Sequence, residues 1–147
     1  MSLEDLYKQG RLRKHRTSAK EIKDLLQVIE RDLKDAEIKG LSTDRRFAIA
    51  YNAALQLAII TLYCKGYRPF GLGHHFTVFQ GMKESMGDDY ADLADYFDAC
   101  RVKRNVTDYD RAGGISETEA EELLKEVSQF REIIVNWLKS YHPRFLK

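Results

Sequence analysis

Proline occurs only twice and glycine nine times in these 147 residues, which leaves too little turn-making material for a β-sandwich. Cysteine is equally scarce. Cys64 and Cys100 lie far apart in apolar, helix-patterned surroundings, so they read as reduced and buried thiols, not as a disulfide framework. The chain has no Cys-x-x-Cys and no His/Cys cluster at zinc spacing, and neither a metal nor a cofactor is expected. The N-terminus lacks an apolar signal core, and no apolar run approaches the roughly 20 residues of a membrane span. A cytoplasmic protein without membrane contact is therefore expected. A charge excess is missing too: 24 basic and 23 acidic residues give a net charge of +1. Wrapping of duplex nucleic acid draws most of its affinity from phosphate neutralisation, so any nucleic-acid contact here must be local. The local candidate is Arg11, Arg13, Lys14, His15, Arg16 and Lys20. No aromatic residue interleaves with them to stack bases, so a solvated arm is the plainer reading.

What the chain does have is helical periodicity. Hydrophobic residues make up 44% and charged ones 32%, enough for one packed core. A short amphipathic helix over residues 2–9 and a basic arm make up residues 1–16, and a single helical bundle occupies 17–147. The first long helix starts at a capping box, Ser18-x-x-Glu21, and carries Ile22, Leu25, Leu26, Ile29, Leu33 and Ala36 at helical spacing. Ser42 or Thr43 caps the second, whose Phe47, Tyr51, Ala54, Leu55, Ala58 and Leu62 make it apolar most of the way round. Such a helix is buried by several neighbours and belongs at the centre. Residues 66–73 (GYRPFGLG) form the main loop. A shorter helix follows from about His74 to Met86. A fourth, capped by Asp88 or Asp89, bears Tyr90, Leu93, Phe97 and Cys100. A second box, Ser116-x-x-Glu119, opens the last helix, which Pro143 ends. Short connections favour an all-α, up-and-down bundle of four or five helices.

Along the fourth helix the apolar stripe turns polar. Continuing the 3.6-residue period past Cys100 reaches Arg104, Thr107 and Asp108, flanked by Arg101 and Asn105. A guanidinium on a core-facing stripe is costly unless paired or placed at a cleft. It either pairs with Asp108 one turn on or lines a groove that takes phosphate, whose oxygens suit Arg's planar fork. His74 and His75 open a helix whose exposed N–H groups favour anions, while His15 and His142 sit near the ends. No Walker-type glycine loop, dinucleotide fingerprint, Gly-x-Ser-x-Gly elbow or His-Glu-x-x-His is present.

The run Tyr96-Phe97-Asp98-Ala99-Cys100-Arg101-x-Lys103-Arg104-Asn105-x-x-Asp108-Tyr109-Asp110 resembles the polar signature of HEPN (higher eukaryotes and prokaryotes nucleotide-binding) domains. So does Arg45-Arg46-x5-Tyr51-Asn52-Ala53-Ala54-Leu55-Gln56, followed by Gly66-Tyr67-Arg68-Pro69 and His74-His75. The resemblance runs from roughly Thr17 to Tyr141. It implies a small helical bundle that dimerises, bringing two Arg-x4–6-His motifs into one cleft where RNA is cut without a metal. Some such domains are toxins paired with a small nucleotidyltransferase antitoxin, and others only bind.

On this resemblance Arg104 takes the place of the motif arginine, Asn105 that of its polar neighbour, and Tyr109 that of the histidine. A phenol with a pKa near 10 is a poor proton shuttle at neutral pH. The expectation is therefore a homodimeric, non-catalytic or weakly active module that binds RNA, a nucleotide or a partner protein. Arg104, Asn105 and Tyr109 would form its centre, and Arg101, Asp108, His74 and His75 would contribute to binding. The alternative is a metal-independent endoribonuclease toxin with Tyr109, His74 or His75 as proton donor.

Overall fold

A computed structural model describes residues 1–109 and 114–147, and of residues 106–109 the backbone alone. Among the described residues there are six α-helices and two short strands. In chain order these are α1 (Leu3–Lys8), β1 (Leu12–Lys14), α2 (Ala19–Ala36), α3 (Thr43–Cys64), β2 (Tyr67–Pro69), α4 (His74–Met86), α5 (Ala91–Tyr109) and α6 (Glu117–Tyr141). A 3-10 turn over Asp88–Tyr90 leads into α5, and another, Pro143–Leu146, follows α6.

The helix starts follow local side-chain chemistry. Ser18, Ser42 and Ser116 each accept a hydrogen bond from the backbone N–H three residues on, which satisfies a donor the helix leaves orphaned. At Ser116 the exchange is reciprocal, because the Glu119 carboxylate accepts from the Ser116 N–H at 3.0 Å. At Ser18 it is not. The Glu21 carboxylate is taken instead by His15 Nε2 at 2.6 Å and the Thr17 hydroxyl at 2.8 Å. The expected box is thus half-formed, since an imidazole and a hydroxyl from the preceding segment reach the carboxylate first.

α3 is the central helix and packs against α2, α4, α5 and α6. Phe47, Ala50, Tyr51, Ala54, Leu57, Ala58 and Leu62 are buried along it. By length and composition α3 would pass for a membrane span, contrary to the expectation drawn from the sequence, yet 67% of its apolar window is buried inside the fold. Two residues of the resembling pattern serve helix pairing. Arg46 Nε donates to the Ala36 carbonyl at the end of α2 at 2.8 Å. Gln56 Nε2 donates to the buried Asp32 carboxylate at 3.1 Å.

Three phenylalanines set the position of α5. Phe97 is fully buried and lies 6.0 Å from Phe79 of α4 and 5.2 Å from Phe130 of α6, centroid to centroid. Burying each such ring is worth about 1.5–3 kcal/mol, so the rotation of α5 about its axis is strongly held. Residues 101 and 104 share the face of Phe97 at i+4 and i+7.

The basic arm departs from the expectation of a solvated tail, and the GYRPFGLG segment from that of a simple loop. Leu12–Lys14 pairs antiparallel with Tyr67–Pro69, with Leu12 opposite Pro69, Arg13 opposite Arg68 and Lys14 opposite Tyr67. His15 N–H to Gly66 O (2.9 Å) and Phe70 N–H to Arg11 O (3.0 Å) extend the ladder at both ends. The cause is burial: Leu6 and Leu12 are both at or below 1% exposed, and seating Leu12 in the core draws the arm alongside β2.

Candidate functional site

The expected polar stripe faces a buried tyrosine and a histidine supplied by two other helices. The Arg104 guanidinium carbon lies 5.4 Å from the centroid of the Tyr51 ring, within cation–π range. Tyr51, fully buried on α3, holds its hydroxyl 3.1 Å from Nδ1 of His75 on α4. Arg101 is tied by its Nε to Asp98 one turn back at 2.7 Å, and its guanidinium carbon sits 5.7 Å from the Phe76 ring. Three helices thus converge on one place.

Local structure explains why His75 is there. Gly73 caps α4 with φ +69°, a left-handed backbone that favours glycine, and no side chain caps the helix start. Successive residues on a helix point about 100° apart. His75 accordingly turns inward and is half-buried, while His74 stays exposed. Their rings meet edge to face at 4.4 Å.

Electrostatics fix the protonation states. Burial, reinforced by His74, Arg104 and Arg101, pushes the His75 imidazole down to about 4, so it is neutral at physiological pH. Burial pushes the Tyr51 phenol upward against the opposing pull of Arg104 and Arg101, so it stays protonated. The site therefore holds two guanidinium groups, that of Arg101 paired with the Asp98 carboxylate, and a neutral imidazole. Chemically, such a set can hold an oxyanion and can accept or donate one proton.

Of the residues singled out in the sequence, Arg101, Arg104, His74 and His75 come together. Asn105 is half-buried on the same helix. The side chains of Asp108 and Tyr109 lie outside the described residues, as does the alternative pairing of Arg104 with Asp108. Sequence reasoning assigned Tyr51 to the core and missed its part in the site. The available signal was a polar-tipped ring on the apolar side of a largely buried helix, because a buried tyrosine hydroxyl normally finds a partner. Phe76 was also missed: it stands 41% exposed beside Arg101 instead of in the core. No group of three or more His, Cys, Asp or Glu side chains able to hold a metal occurs among the described residues. No family model matches the chain, and no curated protein or solved structure matches it either.

Proposed function

We propose that this protein is a HEPN-like homodimeric module that holds a phosphate of RNA or of a nucleotide at Arg104, without rapid turnover. The observation that carries the reading is the Arg104–Tyr51–His75 arrangement. A guanidinium is fixed over a buried ring whose hydroxyl in turn fixes a neutral imidazole. Arg101 adds a second cation nearby, and the uncapped start of α4 adds backbone N–H groups that favour anions. Two such stripes facing each other across a dimer would make one more complete cleft.

The experiment is binding of a fluorescein-labelled oligoribonucleotide, with the oligomeric state measured by sedimentation. Arg104→Ala should weaken binding at least about tenfold, the scale of a lost charge-assisted contact. Equal affinity of the wild type and Arg104→Ala, or a monomer at every concentration, would overturn this reading.

One observation favours a second reading, that of a ribonuclease toxin neutralised by a nucleotidyltransferase partner. His75 puts a neutral imidazole on another helix within electrostatic reach of Arg104, in a position for the proton transfer that Tyr109 does not provide, though burial makes it a weak base. Such a base would take the proton of a ribose 2′-hydroxyl as its oxygen attacks phosphorus. The bond to the 5′-oxygen then breaks, and the leaving oxygen takes up a proton. Growth arrest on expression, relieved by both Arg104→Ala and His75→Gln, is the expected outcome of that reading. Normal growth with abundant wild-type protein excludes it.

A further inference from the structure

Outside the Arg104 site, the paired strands and the loop after β2 carry an unusual surface. Arg13 and Arg68 face each other across the ladder on the same side, and like charges directly opposite are destabilising. Neither has an ion pair among the described residues. The Arg13 guanidinium carbon stacks 3.6 Å from the centroid of Phe70. Arg11 lies 5.5 Å from the centroid of Phe76 and, among the described residues, donates to neutral acceptors, Thr77 Oγ1 at 3.2 Å and Gln80 Oε1. Phe76 also lies beside Arg101, which links it to the Arg104 site. Phe70 and Phe76 are 40% and 41% exposed, and Leu72 between them is fully exposed.

We infer that this ribbon, comprising Arg13, Arg68, Phe70, Arg11 and Phe76, is a track for a single-stranded nucleic acid leading to Arg104; the inference takes RNA as the strand on the strength of the function proposed above. The chemistry is specific. Uncompensated guanidinium groups suit a phosphodiester backbone. The half-exposed rings between them offer faces on which bases stack whatever their sequence. A duplex hides its base faces and an acidic peptide has none, so neither uses both features.

The test is fluorescence anisotropy with a labelled oligouridylate of about 12 nucleotides, within the usual range for single-strand sites, and a uridine dinucleotide that reaches only the Arg104 site. Each is measured across a salt series, and circular dichroism checks the fold of every variant. Arg13→Gln with Arg68→Gln should flatten the slope of log K against log salt for the long strand by about 1.4, the loss of two single-strand phosphate contacts. Phe70→Ala should weaken the long strand about 5- to 150-fold with the slope unchanged, since it removes stacking and not charge. Phe70→Leu keeps the apolar packing and should lose binding as well. The dinucleotide should respond to Arg104→Ala alone. Unchanged long-strand affinity and slope in the ribbon variants overturn the track while leaving the Arg104 site standing. Loss in the ribbon variants with none in Arg104→Ala upholds the track and overturns the site. Equal affinity for a duplex, or competition by oligoglutamate that matches the RNA, also overturns the track.

Discussion

The hydroxyl of Tyr51 and Nδ1 of His75 sit 3.1 Å apart, and that contact joins the central helix to the start of α4 directly beneath Arg104. It links stability and protonation at one point.

The first prediction concerns acidity. The folded chain holds His75 at about 4, below the ordinary 6.5. Above pH 6.5 both folded and unfolded chains carry it neutral, and stability is full. As pH falls from 6.5 to about 4 the unfolded chain takes a proton that the folded chain refuses, so stability declines, and below about 4 it levels off. The ring is only half-buried and water screens it, so the loss should be about 1–2 kcal/mol, less than the bare shift implies. Urea midpoints at pH 7 and pH 4.5 measure it. The wild type should lose more than His75→Gln, in which the other titrating groups remain; equal losses refute the assignment. Proton NMR of the ring should show its titration midpoint rising in Arg104→Ala.

The second concerns the α2–α3 pair. Asp32 is 7% exposed and accepts from Gln56. Gln56 is half-buried and keeps a bond to the Asn52 carbonyl, so losing its carboxylate acceptor should make Asp32→Ala about 1 kcal/mol less stable, with Asp32→Asn losing less. Chemical denaturation decides, and an alanine variant as stable as the wild type would contradict the role given to this bond.

Close packing of α4 on α3 yields the third. A Cβ placed at Gly81 would lie 3.2 Å from Leu62 Cγ and closer still to one of its methyl groups, and Leu62 is fully buried. Gly81→Ala should therefore cost about 1–3 kcal/mol through overpacking. Combined with Leu62→Ala, which makes room, the two losses should be less than additive. Strict additivity in a double-mutant cycle would mean the two residues do not meet.

The thiols give the fourth. Burial pushes Cys64 up to about 12 and Cys100 up to about 11, and the thiolate is the nucleophile. In the native protein at pH 7.5 both should react with iodoacetamide at least about a hundredfold more slowly than in urea. Rapid labelling of either thiol before unfolding counts against its burial.

Much of the architecture was readable along the chain. Ser18, Ser42 and Ser116 announced the helix starts, and the apolar character of α3 most of the way round announced its central place. What local reasoning could not supply was partner choice. The carboxylate of Glu21 went to His15 and Thr17 and not back to Ser18, because a preceding segment folded within reach. The arm from Arg11 to Arg16 lacked interleaved aromatics in sequence, yet the fold delivers Phe70 and Phe76 to it. Phe70 and Phe76 lie much further along the chain, yet both stand at the surface, each against an arginine.

The sequence by itself determined the long helices, the serine caps of three of them, and the placing of Arg101 and Arg104 on the face of Phe97, because those relations lie within a few residues of one helix and follow its 3.6-residue period. The expected Asp88 or Asp89 cap is instead part of a 3-10 turn without a side-chain cap. Only the tertiary structure decided that Tyr51 and His75 meet Arg104, or that Leu12–Lys14 becomes a strand against Tyr67–Pro69. Those contacts join segments 24 to 57 positions apart. A cation over a ring, or a hydroxyl against an imidazole, leaves no periodic trace in the chain that makes it.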